Sequence, residues 1–197
     1  MSKGEQTRAL IVQRAAEVFN RQGYFGTSLA DIMQATGLEK GGIYNHFSGK
    51  DQIALEAFDY AFELLSERIR TLAADSSNAV DRLQAFVAAF ASQVENPIFT
   101  GGCYVMNTAI EADDAHPALR ERAHAAIQRW LGLLQGMVAD GIARGEIRPE
   151  VDPDAVATVL VAALEGAVML SKITGNREQM RRVAAHLSAY LEQTVRQ

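Results

Sequence analysis

Within the stretch from Thr27 to Lys50, TSLADIMQATGLEKGGIYNHFSGK, the side chains of Thr27, Ser28, Lys40, Tyr44, Asn45, His46 and Lys50 could do chemistry. Together they offer hydroxyls, ammonium groups, an amide, an imidazole and a phenol. That set suits hydrogen bonding to phosphate oxygens and base edges, and the lysines add charge that a phosphate backbone attracts. Thr27 and Ser28 stand where a helix would begin, a place that favours anions. Gly41 and Gly42 leave one side of the segment bare, so that another surface can approach closely. They also cost about 1 kcal/mol each in helix stability relative to alanine.

These groups need a brace, a tight turn and a second helix to present them. Leu29, Ile32 and Met33 supply an apolar brace, Gly37 permits the turn, and Leu38 and Ile43 pack the second helix on the first, with Phe47 at its far end. Local signals set the boundaries. A first helix spans about residues 6–22, with Ile11, Ala15, Val18 and Phe19 on one face and Gly23 as its stop. Ser28 caps the next helix, with Asp31 three residues on, and Gly37 ends it. A short third helix covers about 39–45, and a fourth runs from about 50 to 73.

The rest of the chain also reads as helical. Helices are expected over about 79–94, 103–111, 117–144, 153–173 and 177–194, which makes nine in all. Pro117 and Asp152-Pro153 open two of them, and Gly175 separates the last two. No run shows the alternation of a half-buried strand.

The order Gly23-Tyr24, Thr27-Ser28, Asp31-Ile32, Gly37, Gly41, Tyr44, His46, Phe47 and Lys50 resembles the TetR family of transcriptional regulators. The resemblance is close over residues 5–55 and beyond that is one of length and helix count. It implies an all-α fold, with a three-helix helix-turn-helix head (1–50) fused to a six-helix effector-binding and dimerisation body (51–197). It implies further that Thr27, Tyr44 and Lys50 contact phosphates, while Lys40, Gly41 and Asn45 face the bases. Gly42 departs from the family pattern, where a residue with a side chain is common.

Composition is ordinary for a soluble globular protein. The chain has 197 residues, 48% of them hydrophobic and 22% charged, and a net charge of -5. The charge is unevenly placed. Residues 1–50 hold six Lys/Arg against four Asp/Glu, whereas residues 51–197 hold thirteen against twenty. Cys103 is the single cysteine, which excludes an intrachain disulfide and suits a reducing cytoplasm. The N-terminal segment lacks the features of a signal peptide. The most apolar stretch, Ala155–Leu170, falls short of the ~20 residues of a bilayer span, so a buried helix and no membrane role are expected.

That stretch is apolar nearly all round, interrupted by Thr158 and Glu165, and Met180, Val183, Ala184, Leu187 and Leu191 form a second stripe. A four-helix bundle between two copies would bury both, giving a homodimer whose heads lie about 34–36 Å apart on palindromic operator DNA. The aromatic and methionine content of the middle region, Phe62, Phe86, Phe90, Phe99, Tyr104, Met106, Trp130 and Met137, is expected to be mostly core and in part an effector pocket for a small apolar or electrophilic molecule. Cys103 follows Gly101-Gly102 and opens a helix, where the dipole favours a thiolate. Lys172, the only lysine after Lys50, is a candidate cation for it. The segment GGCYVMNTAIE is similar to that of family members that sense electrophiles or oxidants through cysteine; the bland alternative is a small buried hydrophobe.

Two other function classes compete. A metal-dependent helical enzyme would draw on Glu111, Asp113, Asp114, His116 and His124, but Asp114 and His116 precede Pro117 and read as helix-start residues. No GxSxG elbow, phosphate-binding glycine loop or HExxH pair occurs, and no cofactor is expected. A DNA-architectural protein without effector control would carry more positive charge than this acidic body.

Overall fold

A computed structural model describes residues 2–197. Among them lie nine α-helices and no strand: α1 Lys3–Gly26, α2 Leu29–Thr36, α3 Lys40–Tyr44, α4 Lys50–Ala73, α5 Ala79–Glu95, α6 Tyr104–Ala112, α7 Pro117–Ala143, α8 Pro153–Thr174 and α9 Glu178–Tyr190. The all-α expectation holds.

The helix ends follow local chemistry. Ser2 and Glu5 close a capping box on α1, and Ser28 and Asp31 close another on α2. Gly37 adopts the left-handed conformation at φ 69° that ends α2, and its amide returns to the Met33 carbonyl. Gly23, at φ 77° and ψ 169°, breaks α1 internally, so that Tyr24 begins a fresh turn in a new direction. The expected stop at Gly23 is therefore a kink, with one further turn beyond it.

The chain forms two compact units. The first contains residues 1–64 and 99–125, the second residues 65–98 and 126–197. This division differs from the expected head at 1–50 and body at 51–197, because residues 51–64 and 99–125 pack with the first three helices. In the first unit Ile11, Ala15, Ala16, Phe19, Ile32, Ile43, Phe47 and Ile53 share a core with Ala112 and Leu119. Burial of such side chains is worth about 1.5–3 kcal/mol each for the larger ones, which holds the short α2 and α3 against α1.

In the second unit α5, α8 and α9 pack together. Phe86, Phe90 and Trp130 form an aromatic cluster, with ring centroids 5.1 Å apart for Phe86–Phe90 and 5.4 Å for Phe90–Trp130. Helix α9 runs into a wider π-type turn over Leu191–Val195, where Arg196 pairs with Asp81 and Glu192 and Ile147 bridges Arg196.

At 22 residues α8 is longer than the apolar stretch suggested, and it is long and apolar enough to cross a membrane by length and composition. Half of its most apolar window is buried, as in the core helix of a globular unit. It is also not enclosed all round. Val156, Leu160, Leu164, Ala167 and Val168 are buried, while Val159, Met169, Leu170 and Ile173 are exposed, Ile173 at 78%.

Candidate nucleic-acid interface

The helix-turn-helix is built on three anchors. Ile32 of α2 and Ile43 of α3 are buried together with Phe47, which follows α3. The Arg8 guanidinium lies 4.5 Å from the centroid of the Phe47 ring and forms a forked ion pair with Glu56. The far end of α3 is thus tied to both α1 and α4.

Anchored in this way, α3 turns its polar side outward. Lys40, Gly41, Tyr44 and Asn45 are exposed, and the Lys40 ammonium lies 5.7 Å from the centre of the Tyr44 ring. A Cβ added at Gly41 would meet nothing within 4 Å, and one at Gly42 would meet only Leu38 at ordinary contact distance. The bareness expected at these glycines is real, and Gly42 has room for a side chain. His46 is half-buried beside Gly4, at the start of α1.

Two of the expected contact residues, Thr27 and Lys50, have internal duties that the sequence did not disclose, and Ser28 caps α2 as expected. Thr27 is 2% exposed, and its hydroxyl donates to the Gly23 carbonyl at 2.6 Å. Its side chain fastens the end of α1 and is not presented to an outside phosphate. The Ser28 hydroxyl donates to Asp31 Oδ2 at 2.6 Å and accepts from the Asp31 amide. The Ser28 hydroxyl bond, and then a bond from the Ser28 amide to the same oxygen at 2.7 Å, hold the Asp31 carboxyl below the usual carboxylate range. The Lys50 ammonium donates to the carbonyls of Tyr24 at 3.0 Å and Thr27 at 2.9 Å, and sits 4.1 Å from the Tyr24 ring centre. One of its three N–H groups is left for another acceptor.

Tyr24 is the hub of this neighbourhood. Its phenol donates to Asp51, and its ring meets His116 edge-on at 4.6 Å. Partial burial, followed by the Asp51 hydrogen bond and charge, raises the phenol to about 12. His116 Nδ1 accepts from the Leu119 amide at 3.2 Å, which is the helix-start role expected of it. Glu111 accepts from the amides of both Tyr24 and Phe25 at 2.8 Å. Two of the residues considered as metal ligands are therefore engaged in capping backbone.

The effector candidates divide between the units. Cys103 is buried at the N-cap of α6, without a side-chain capping bond. Lys172, exposed on α8, belongs to the second unit, so the geometry within neither unit pairs it with Cys103. Tyr104 contacts Phe58 with ring centroids 5.5 Å apart, and it lines a small cleft in the first unit with Phe19, Asn20, Tyr24, Asn107, Thr108 and Glu111. Burial, and then the Glu111 charge, push the Tyr104 phenol far above its ordinary range. Phe62 is buried in the first unit, where Met106 is half-buried; Met137 lies half-buried in the second, and Phe86, Phe90 and Trp130 are close-packed there.

Residues 11–57 match the family model described as bacterial regulatory proteins of the tetR family, and residues 79–187 match the tetracyclin repressor-like C-terminal domain. The chain belongs to the TetR family. It is 49% identical to a TetR transcriptional regulator of known structure from Chloroflexus aurantiacus J-10-FL, at a TM-score of 0.96, with 100% of this chain and 99% of that one covered. It is 29% identical to the HTH-type transcriptional repressor DhaR of Mycobacterium sp. (strain GP1), covering 88% of this chain and 86% of that protein. The HTH-type transcriptional regulator LmrA of Bacillus subtilis is 27% identical, with 94% and 96% covered. This TetR-family chain is a DNA-binding transcriptional regulator, and its helix-turn-helix lies in the region matched by the N-terminal model.

Asn20 and Asn107 were not among the expected site residues, and Glu111 entered the expectations only within the disfavoured metal alternative. Asn20 is buried; its Nδ2 donates to the carbonyls of Thr100 and Gly102, and Asn107 Nδ2 donates to Asn20 Oδ1 at 2.9 Å. One signal was present. Asn107 and Glu111 stand four apart in a largely apolar helix and so share a face, which calls for polar partners.

Proposed function

We propose that the chain is an effector-responsive repressor that binds palindromic operator DNA as a homodimer in the cytoplasm. Residues 1–50 would be its DNA-binding domain and 51–197 its effector-binding and dimerisation region. The observation that carries the DNA reading is the exposed face of α3. Lys40, Tyr44 and Asn45 project from a helix whose other side is pinned by Ile43 and Phe47, while Gly41 and Gly42 admit the groove wall. His46, the α2 cap at Ser28 and the remaining N–H of Lys50 complete the contact set. Thr27 serves as the internal brace of that set.

The dimer reading rests on α8. Val159, Met169, Leu170 and Ile173 form an exposed apolar stripe, of the kind that a monomer seldom leaves in water. A second copy across a two-fold axis would cover it. The effector is a small apolar or electrophilic molecule, and Cys103 is the candidate if attachment is covalent. An effector releases DNA by binding one arrangement of the dimer more tightly than the operator-bound one.

Selection of DNA from a random duplex pool with the purified chain tests this function. The expected outcome is an inverted repeat bound by two chains per duplex. Recovery of no preferred sequence would overturn the operator reading, and one chain per duplex would overturn the dimer.

A further inference from the structure

The kink in α1 divides it into a long straight helix and one extra turn, Tyr24–Gly26. Helix α6 is attached on both sides of that kink. On the near side Asn107 donates to Asn20 Oδ1 at 2.9 Å. On the far side the Glu111 carboxylate accepts from the Tyr24 and Phe25 amides, each at 2.8 Å. A turn that starts at Tyr24 has amides with no acceptor in the preceding helix. Glu111, from a distant part of the chain, supplies both acceptors with full negative charge.

Gly23 fits this arrangement sterically. A Cβ there would lie 2.5–2.7 Å from the Glu111 carboxylate, and the backbone stands at φ 77°. The carboxylate can reach the two amides only over a residue without a side chain. The turn beyond the kink then leads directly to what reads DNA. Its carbonyls at Tyr24 and Thr27 hold the Lys50 ammonium, where α4 starts, and Ser28 caps α2.

We propose that Gly23 is a hinge whose angle is set by Glu111, so that α6 and the DNA-reading helices move as one through this carboxylate. Glu111 is a positioning residue, touching neither DNA nor effector. Asn107 fixes α6 to the straight part of α1. A rotation of α6 about that point swings the Glu111 carboxylate, and with it the Tyr24–Thr27 segment and the N-terminus of α2. The inference rests on the DNA-binding reading.

Hydrogen exchange with and without the duplex recovered by selection tests it, on the full-length wild type, Glu111→Ala and Glu111→Gln. In the free wild type the Tyr24 and Phe25 amides are protected, and Glu111→Ala speeds their exchange about tenfold or more, as expected for a lost charge-assisted hydrogen bond. Duplex binding slows exchange in both the first three helices and α6 of the wild type. In Glu111→Ala it slows exchange in the first three helices only. Glu111→Gln keeps one acceptor oxygen and gives the same pattern more weakly, which serves if the alanine variant fails to fold. Equal α6 protection in wild type and variant would overturn the hinge, as would a wild type whose α6 ignores the duplex. A wild type that binds no duplex at all removes the DNA reading itself, a different failure, and the hinge falls with it.

Discussion

Lys50 holds Tyr24 twice: its ammonium donates to the Tyr24 carbonyl at 3.0 Å and lies 4.1 Å from the centre of the Tyr24 ring. A lysine that the motif assigns to DNA phosphate is thus also the C-terminal cap of α1, since it bonds the Thr27 carbonyl as well. Structure and recognition meet in one side chain, and they can be separated experimentally.

Lys50→Gln is expected to lower stability by about 1–2 kcal/mol, for loss of two charge-assisted bonds at a partly exposed site. It should also reduce the salt dependence of operator binding by about one phosphate contact. Lys40→Gln, on the exposed face of α3 turned to the bases, should lower sequence preference and leave stability unchanged. Urea denaturation, together with anisotropy titrations at several salt concentrations, distinguishes the two.

Thr27 offers the opposite case. Its hydroxyl is enclosed and bonded to the Gly23 carbonyl, so Thr27→Val should cost about 1 kcal/mol of stability and leave the salt slope intact. Thr27→Ser, which keeps the hydroxyl, should recover most of the loss. A reduced salt slope in Thr27→Val would restore the phosphate role that the motif implied.

Gly101 stands at φ 118°, and a Cβ there would press on the backbone carbonyl of Asn20. Since backbone cannot swing aside as a side chain can, Gly101→Ala should destabilise the chain by more than about 2 kcal/mol. Gly41→Ala meets open space and sits in a helix, so it should stabilise the isolated protein slightly. Thermal unfolding of the two variants tests the contrast.

Tyr24 predicts an alkaline effect. Its folded phenol is raised to about 12, above the ordinary value of 10.0, chiefly by burial and then by Asp51. Between those values the folded protein keeps a proton that the unfolded chain releases, so unfolding gains as pH rises. The contribution is fully present below about pH 10 and is lost as pH climbs through 12. Tyr24→Phe should flatten this part of the stability curve, measured by denaturant titration from pH 8 to pH 12.

The exposed face of α8 gives a prediction about assembly. Ile173→Glu and Val159→Glu place charge on the stripe assigned to the two-fold interface, and each should shift the chain from dimer to monomer at micromolar concentration in sedimentation equilibrium. Retention of the dimer by both variants would move the interface elsewhere.

Much of the fold was legible because its punctuation is local. The Ser28–Asp31 box, Gly37, Pro117, Asp152-Pro153 and Gly175 each act within one turn of where they stand, and the helices begin and end there, while Gly23 kinks α1 one turn before its end. The polar face of α3 was legible for the same reason, with Ile43 and Phe47 fixing which side turns inward. What stayed hidden depends on partners far along the chain. Glu111 meets amides 87 and 86 residues away, and Lys50 meets carbonyls 26 and 23 residues away. No periodicity carries such pairings. A carboxylate in an acidic stretch looks the same whether it binds a metal or caps a backbone turn, and a motif lysine looks free until its acceptors are seen. Likewise α8 is apolar all round in sequence, yet only one side of it is buried within the unit.

The central claim is that the exposed face of α3 reads a specific DNA sequence, and fluorescence anisotropy with the selected duplex and a scrambled one of equal length tests it most directly. At physiological salt the wild type should bind the selected duplex about a thousandfold or more tightly than the scrambled one. A Tyr44→Ala, Asn45→Ala double variant should lose most of that ratio while keeping its fold and its weak, salt-dependent affinity for either duplex. Equal affinity of the wild type for both duplexes, or an undiminished ratio in the double variant, would contradict the account.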